Sequence, residues 1–135
     1  MINKTHHVSL NKLDDKLWRI FSLFIRLSAA DSSGFCKCVT CGVIRHYTEI
    51  QAGHYIHRRH NATRFDERNV NCQCISCNIY NAGEEEKHED YINKTFGEGT
   101  TVQLKRLSKG LHKLSREWYL EKIAEYQEKV KGLQI

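Results

Sequence analysis

Four cysteines stand in two pairs of identical spacing, Cys38 and Cys41 in CVTCG and Cys74 and Cys77 in CISCN, with 32 residues between the pairs. Four thiolates arranged as two Cys-x-x-Cys knuckles match the tetrahedral preference of zinc. A closed shell of four sulfurs leaves no open position for substrate, so this chemistry is structural. Gly42 directly after the first pair suits a tight knuckle turn, because glycine lets the backbone aim its amides at the sulfurs. A thioredoxin-like redox reading of either pair lacks the βαβ pattern that would surround it. Cys36 and Cys72 each precede a knuckle cysteine by two residues, and on a strand residues two apart share a face. They read as small buried side chains beside the metal or as alternative ligands. His46, His57 and His60 are further ligands by type, but four cysteines already close the shell.

Ordered elements must hold these knuckles. With 135 residues the chain suits one domain with a modest core. Its start, MINKTHHVSL, has neither an apolar h-region nor a small-residue cleavage site, which predicts a cytoplasmic protein with reduced thiols. The most apolar stretch, LWRIFSLFIRL, carries Arg19 and Arg26 and is too short to span a bilayer. Leu10, Leu13, Leu17, Phe21 and Phe24 recur at helical spacing behind Ser9, a suitable N-cap, and predict an amphipathic helix over residues 10–30 that ends near DSSG. From Phe35 to about Asn78 the pattern is not helical; it is rich in Cys, His, Arg and Asn, with the β-like runs FCKCVT and TEIQAGHYI. Beyond it, EEEKHEDYINKTFG predicts a helix stopped by Gly97, and TTVQLKRLS a short helix capped by Thr100. SREWYLEKIAEYQEKVKGL predicts a long helix with Trp118, Ile123, Tyr126 and Val130 inward. The absence of proline fits these helices, and neither a repeat nor a low-complexity linker interrupts them. The class is α+β.

The formal net charge is +5, unevenly spread, with GEEEKHED as an acidic patch. Such a balance fits a nucleic-acid partner and equally an ordinary solvated basic surface.

Between the knuckles lies IQAGHYIHRRHNATRFDERNVNCQC, too polar and basic to be core. Gly53-His54 on a strand, Asn69 fifteen residues on, and a Cys-x-x-Cys followed at once by Asn78 resemble an HNH-type nuclease of the His-Me finger class. More narrowly, CVTCG, QAGHY, RFDERNVNCQC, CN and YINKTFG resemble the NinG or Rap recombination nucleases of lambdoid phages, over roughly residues 38–133. The resemblance implies a zinc-stabilised ββα-metal core of treble-clef/HNH type with flanking helices. The chain is expected to divide into an N-terminal helix (1–34), which the resemblance does not cover, packed on or beside the core, and a nuclease domain with C-terminal helices (35–135). The resemblance also implies a phage- or prophage-encoded structure-specific endonuclease that cuts branched DNA such as D-loops and Holliday junctions.

In such a site His54 is the general base, since histidine can deprotonate water near neutral pH. Asn69 orients it through backbone or histidine hydrogen bonds, and Asn78 is ligand to a catalytic Mg²⁺ or Mn²⁺, cations that suit oxygen donors. The broad HNH pattern often places a metal-binding aspartate before the histidine, where this chain has Gly53. Asp66, Gln51, His57 or His54 itself then become candidates for a second ligand. Asp66 is preferred for its carboxylate, with pairing to Arg64 or Arg68 as the alternative. His57, Arg58, Arg59 and Arg64, with Lys105 and Arg106 further on, are expected phosphate contacts that position DNA without reading its sequence. Symmetric cutting of a four-way junction needs two active sites, so a homodimer is one expectation. The aromatic residues Trp18, Phe21 and Phe24 of the first helix would serve as its interface or pack on their own domain. The competing functions are a catalytically inactive zinc-stabilised DNA-binding module, a treble-clef interaction adaptor, and a restriction- or homing-type HNH nuclease.

Overall fold

A computed structural model describes residues 8–133. Helix α1 spans Leu10–Ala29 and starts as its sequence dictates: Ser9 is extended, and its hydroxyl accepts a hydrogen bond from the Lys12 amide at 3.2 Å. Leu13, Leu17, Phe21 and Ile25, four residues apart, form its buried stripe. Two short antiparallel hairpins follow. Strands β1 (Phe35–Lys37) and β2 (Ile44–His46) pair across the first knuckle, and β3 (Gln51–His54) pairs with β4 (Val70–Gln73), Gln51 opposite Gln73 and His54 opposite Val70. A single helical turn, α2 (Asn61–Arg64), lies in the connection between β3 and β4. A π-helical turn (Ser76–Tyr80) then carries the second knuckle into α3 (Glu85–Phe96), α4 (Thr100–Ser108) and α5 (Arg116–Lys131). The result is a mixed α+β domain.

The two-residue period of the second hairpin assigns its faces. Ala52, Val70 and Cys72 join the apolar core with α1, and His54 on that face stacks on Trp18 of α1. Gln51, Gly53, Asn71 and Gln73 point the other way; there the Asn71 amide nitrogen lies 3.0 Å from Nε2 of the fully buried His88 of α3. Helix α5 packs along α1, and Phe21 meets Tyr126 edge-on at 5.1 Å. The buried cluster includes residues on both sides of residue 34. Leu17 and Phe21 are wholly buried, and removing each from water contributes about 2–3 kcal/mol. Trp18 and Phe24 of α1 are partly buried and pack against the same cluster.

Gly97 ends α3 as expected. Two details differ from expectation. Thr100 is the first residue of α4 rather than its cap: Gly99, in the left-handed region, holds the cap position, and the Thr100 hydroxyl donates back to the Gly97 carbonyl at 2.6 Å. In α5, capped by Ser115, the inward residues are Tyr119, Ile123, Tyr126 and Val130. Trp118 is half-buried on the flank, 5.7 Å from the Phe65 ring. The reason for Tyr119 is polar. Asp14 of α1, nearly buried, accepts from both the Arg64 guanidinium and the Tyr119 hydroxyl (2.6 Å), so one carboxylate ties α1 to α2 and α5.

Removing one partner of a buried ion pair leaves the other charge without compensation. Asp14→Ala is therefore expected to lower unfolding free energy by about 3 kcal/mol or more, whereas Tyr119→Phe, which deletes one hydrogen bond, costs about 1 kcal/mol. Urea denaturation of the zinc-loaded protein measures both, and equal effects would contradict the assignment.

Candidate functional site

Both knuckles converge on one point. The sulfur atoms of Cys38, Cys41, Cys74 and Cys77 all lie within 4.8 Å of one another, and Cys41 Sγ and Cys74 Sγ are 3.7 Å apart. A tetrahedron with zinc–sulfur bonds of about 2.3 Å has an edge of about 3.8 Å, so the donor set fits zinc in kind and spacing. Local backbone explains the convergence. The Gly42 amide bonds the Cys38 carbonyl at 2.9 Å with Gly42 at φ +84°, a turn that favours glycine, and the Asn78 amide bonds the Cys74 carbonyl at 2.9 Å. Cys36 and Cys72 lie outside the cluster. Their thiols reach carbonyls near the end of α1, Cys36 to Arg26 at 3.2 Å and Cys72 to Ile25 at 3.8 Å, and burial pushes Cys72 up to about 12. They act as inert packing groups that seat the helix on the hairpins.

Beside the metal cluster a cleft of about 390 Å³ is lined by Trp18, His54, Tyr55, His57, Arg58 and Asn78, among others. His54, at the end of β3, places Nε2 3.0 Å from the Arg64 carbonyl oxygen. A carbonyl only accepts, so Nε2 carries the hydrogen, and in the neutral ring the lone pair is at Nδ1. Burial pushes the imidazole down to about 4; the Arg64 carbonyl opposes this, and the charges of Arg58, Arg64 and His57 reinforce it. The ring stacks on Trp18 with centroids 4.9 Å apart and 22° between planes. His54 is therefore a neutral, oriented acceptor at pH 7.

Asn69 is wholly buried, and its side chain makes no hydrogen bond to His54. Its Oδ1 accepts from the Ile56 amide at 2.7 Å, and its Nδ2 donates to the carbonyls of Ile56 (3.1 Å) and Thr63 (3.0 Å). It thereby closes the connection that delivers the neighbouring Arg64 carbonyl to the histidine. Asn78 lies over the Gln51 and Gly53 face of β3: its Nδ2 donates to Gln51 Oε1 at 2.8 Å, and among the described residues its Oδ1 receives no hydrogen bond. An amide oxygen so left is a fit donor for a hard divalent cation.

Other expected site residues are placed differently. Asp66 is taken up by Arg68, Oδ1 accepting from its amide (2.9 Å) and Nε (3.1 Å), Oδ2 from Nη2 (2.8 Å), and it does not line the cleft. Arg64 turns its guanidinium inward to Asp14 and offers the site its backbone carbonyl. His57, Arg58 and Arg59 are exposed, with His57 and Arg58 on the cleft. Lys105 sits 5.8 Å over the Tyr55 ring near the cleft, while Arg106 lines a separate groove with Phe96 and Gln103. Trp18 is the contributor that sequence reasoning assigned to packing; its only signal was an aromatic surplus in the first helix.

A family model described as NinG, Bacteriophage Lambda NinG protein, matches residues 2–135. No curated protein matches, and no solved structure matches. The match covers nearly the whole sequence, so the chain belongs to the phage NinG family.

Metal binding and folding are coupled in small thiolate-clamped domains. Cys74→Ser is expected to lose both zinc and the cooperative unfolding transition, while Cys36→Ser and Cys72→Ser keep one zinc per chain. Metal analysis with circular dichroism checks this, and a folded, metal-free Cys74→Ser protein would refute the structural role.

Proposed function

We propose that this member of the NinG family is a metal-dependent, HNH-type endonuclease that hydrolyses branched recombination intermediates, D-loops and Holliday junctions, in the cytoplasm of a bacterial host. In this reading the two knuckles, the β3–β4 hairpin and the turn bearing Asn78 form a zinc-stabilised ββα-metal core. One observation carries it: the His54 Nε2–H is held by a backbone carbonyl, which leaves Nδ1 as a lone-pair acceptor in a cleft that also holds the unengaged amide oxygen of Asn78.

The chemistry follows from the geometry. With a backbone phosphate in the cleft, Nδ1 takes a proton from a water whose oxygen attacks phosphorus; the new P–O bond forms as the bond to the 3′ oxygen breaks. The resulting imidazolium shares its Nε2 proton with the Arg64 carbonyl, whose dipole stabilises the charge. A base held at about 4 is weak for this task. The negative phosphate raises it on binding, toward the range where a general base is effective. Mg²⁺ or Mn²⁺ bound at Asn78 would neutralise phosphate charge and stabilise the departing oxygen. Arg58 and Arg59, exposed beside the cleft, and Lys105 over Tyr55 supply sequence-independent phosphate contacts. The branched-substrate class and the homodimer that paired cuts would need rest on the family resemblance.

Gly53, which removes the metal-binding aspartate of the broad pattern, favours the rival reading of a DNA-binding module without catalysis. Cleavage of a synthetic four-way junction and of a linear duplex, with and without Mg²⁺, separates the two. Wild-type protein is expected to cut the junction preferentially and only with the cation. His54→Ala should slow single-turnover cleavage by about 10²- to 10⁴-fold with zinc content and DNA affinity unchanged. Arg58→Ala and Arg59→Ala should weaken binding and reduce its salt slope by about 1 each. Wild-type rates from His54→Ala would rule out the mechanism.

A further inference from the structure

Gly53 is usually read as a missing ligand, but its surroundings point to a replacement. A Cβ built on Gly53 would lie 2.0 Å from Gln73 Oε1 and 2.9 Å from Asn78 Oδ1, so no side chain fits there and two amide oxygens converge on one small volume. Gln73 is fully buried, and its Oε1 has no hydrogen-bond partner. Its orientation is settled by the other end of the amide: Nε2 donates to the Gly83 carbonyl at 2.8 Å and to the Thr40 hydroxyl at 3.3 Å, and the reverse orientation would set oxygen against the Gly83 carbonyl. Asn78 Nδ2 donates to Gln51 Oε1, and its Oδ1 faces Gly53. Two acceptors side by side without a donor repel, and Gln73 Oε1, buried without a partner, destabilises the fold. A cation between them removes both costs.

We infer that Gln73 Oε1 is the second protein oxygen of a divalent-cation site opened by Asn78, in the place where a carboxylate at position 53 would otherwise reach. The inference rests on the metal-dependent reading above. Two neutral amide oxygens suit a hard cation such as Mg²⁺ or Mn²⁺ that keeps several waters and takes a phosphate oxygen from its substrate. The same arrangement explains the glycine: the hairpin places Gly53 diagonally across from Gln73 on one face, and only a hydrogen leaves room for the long amide. Gln73 also directly precedes Cys74 and bonds Thr40 within the first knuckle, so the zinc cluster sets its position.

Mn²⁺ titration of the zinc-loaded chain, with free Mn²⁺ read by electron paramagnetic resonance and zinc counted separately, tests this without reference to activity. The wild-type chain should bind one Mn²⁺. Gln73→Glu, which adds charge to the ligand, should tighten binding by about tenfold, and Gln73→Met and Asn78→Ala should each weaken it by about tenfold or more while one zinc remains. Should Gln73→Met lose zinc, Gln73→Glu decides alone. One Mn²⁺ bound with unchanged affinity in Gln73→Glu overturns the role of Gln73 and leaves the Asn78 site standing. A wild-type chain that binds no Mn²⁺ at millimolar concentration contradicts the metal-dependent reading itself, and the inference with it.

Discussion

Four sulfur atoms gathered within 4.8 Å are the constraint on which the rest of the structure depends. As thiolates they would repel, and a divalent cation with tetrahedral preference would turn that repulsion into a crosslink between residues 38–41 and 74–77. The strands involved are three or four residues long, too short to be stable as isolated hairpins. The crosslink joins the turn of the first hairpin to the exit of the second, and Asn78 follows Cys77 without an intervening residue. The cysteine cluster and the proposed catalytic site are thus one residue apart along the chain.

His54 shows how several elements can prepare a single side chain. Strand β3 supplies the residue, α1 supplies the Trp18 face that buries it, and the connection through α2 supplies the carbonyl that fixes its tautomer. Asn69 holds that connection shut from within. The Asp14 network adds a second restraint, since the residue whose carbonyl meets the histidine is the one whose guanidinium meets Asp14 on α1. Helix α1 is therefore bound to the cleft by stacking and by charge as well as by its apolar stripe.

Features that depend on local spacing were legible in the sequence. The two knuckles, Gly42 in its turn, the Ser9 cap and the apolar stripe of α1, and the stop at Gly97 all follow from patterns within a few residues of one another. Features that depend on long-range pairing were not. Arg64 reads as a surface cation until Asp14, fifty residues away, is folded against it, and Asp66 reads as a free carboxylate until Arg68 closes on it. Asn69 was assigned an orienting role, but its route through the backbone of Ile56 and Thr63 requires the folded loop. Gln73 carried no signal at all, because its meaning depends on the space above a glycine on the neighbouring strand.

The central claim is that the fold delivers His54 as a neutral base with Nδ1 free. Nitrogen-15 NMR of the imidazole in the zinc-loaded protein, followed through an acid titration, measures this directly. The account predicts the Nε2–H tautomer at neutral pH and a titration near 4, well below the ordinary histidine value of about 6.5. An Nδ1–H tautomer, or a ring that titrates as a free histidine does, would contradict it.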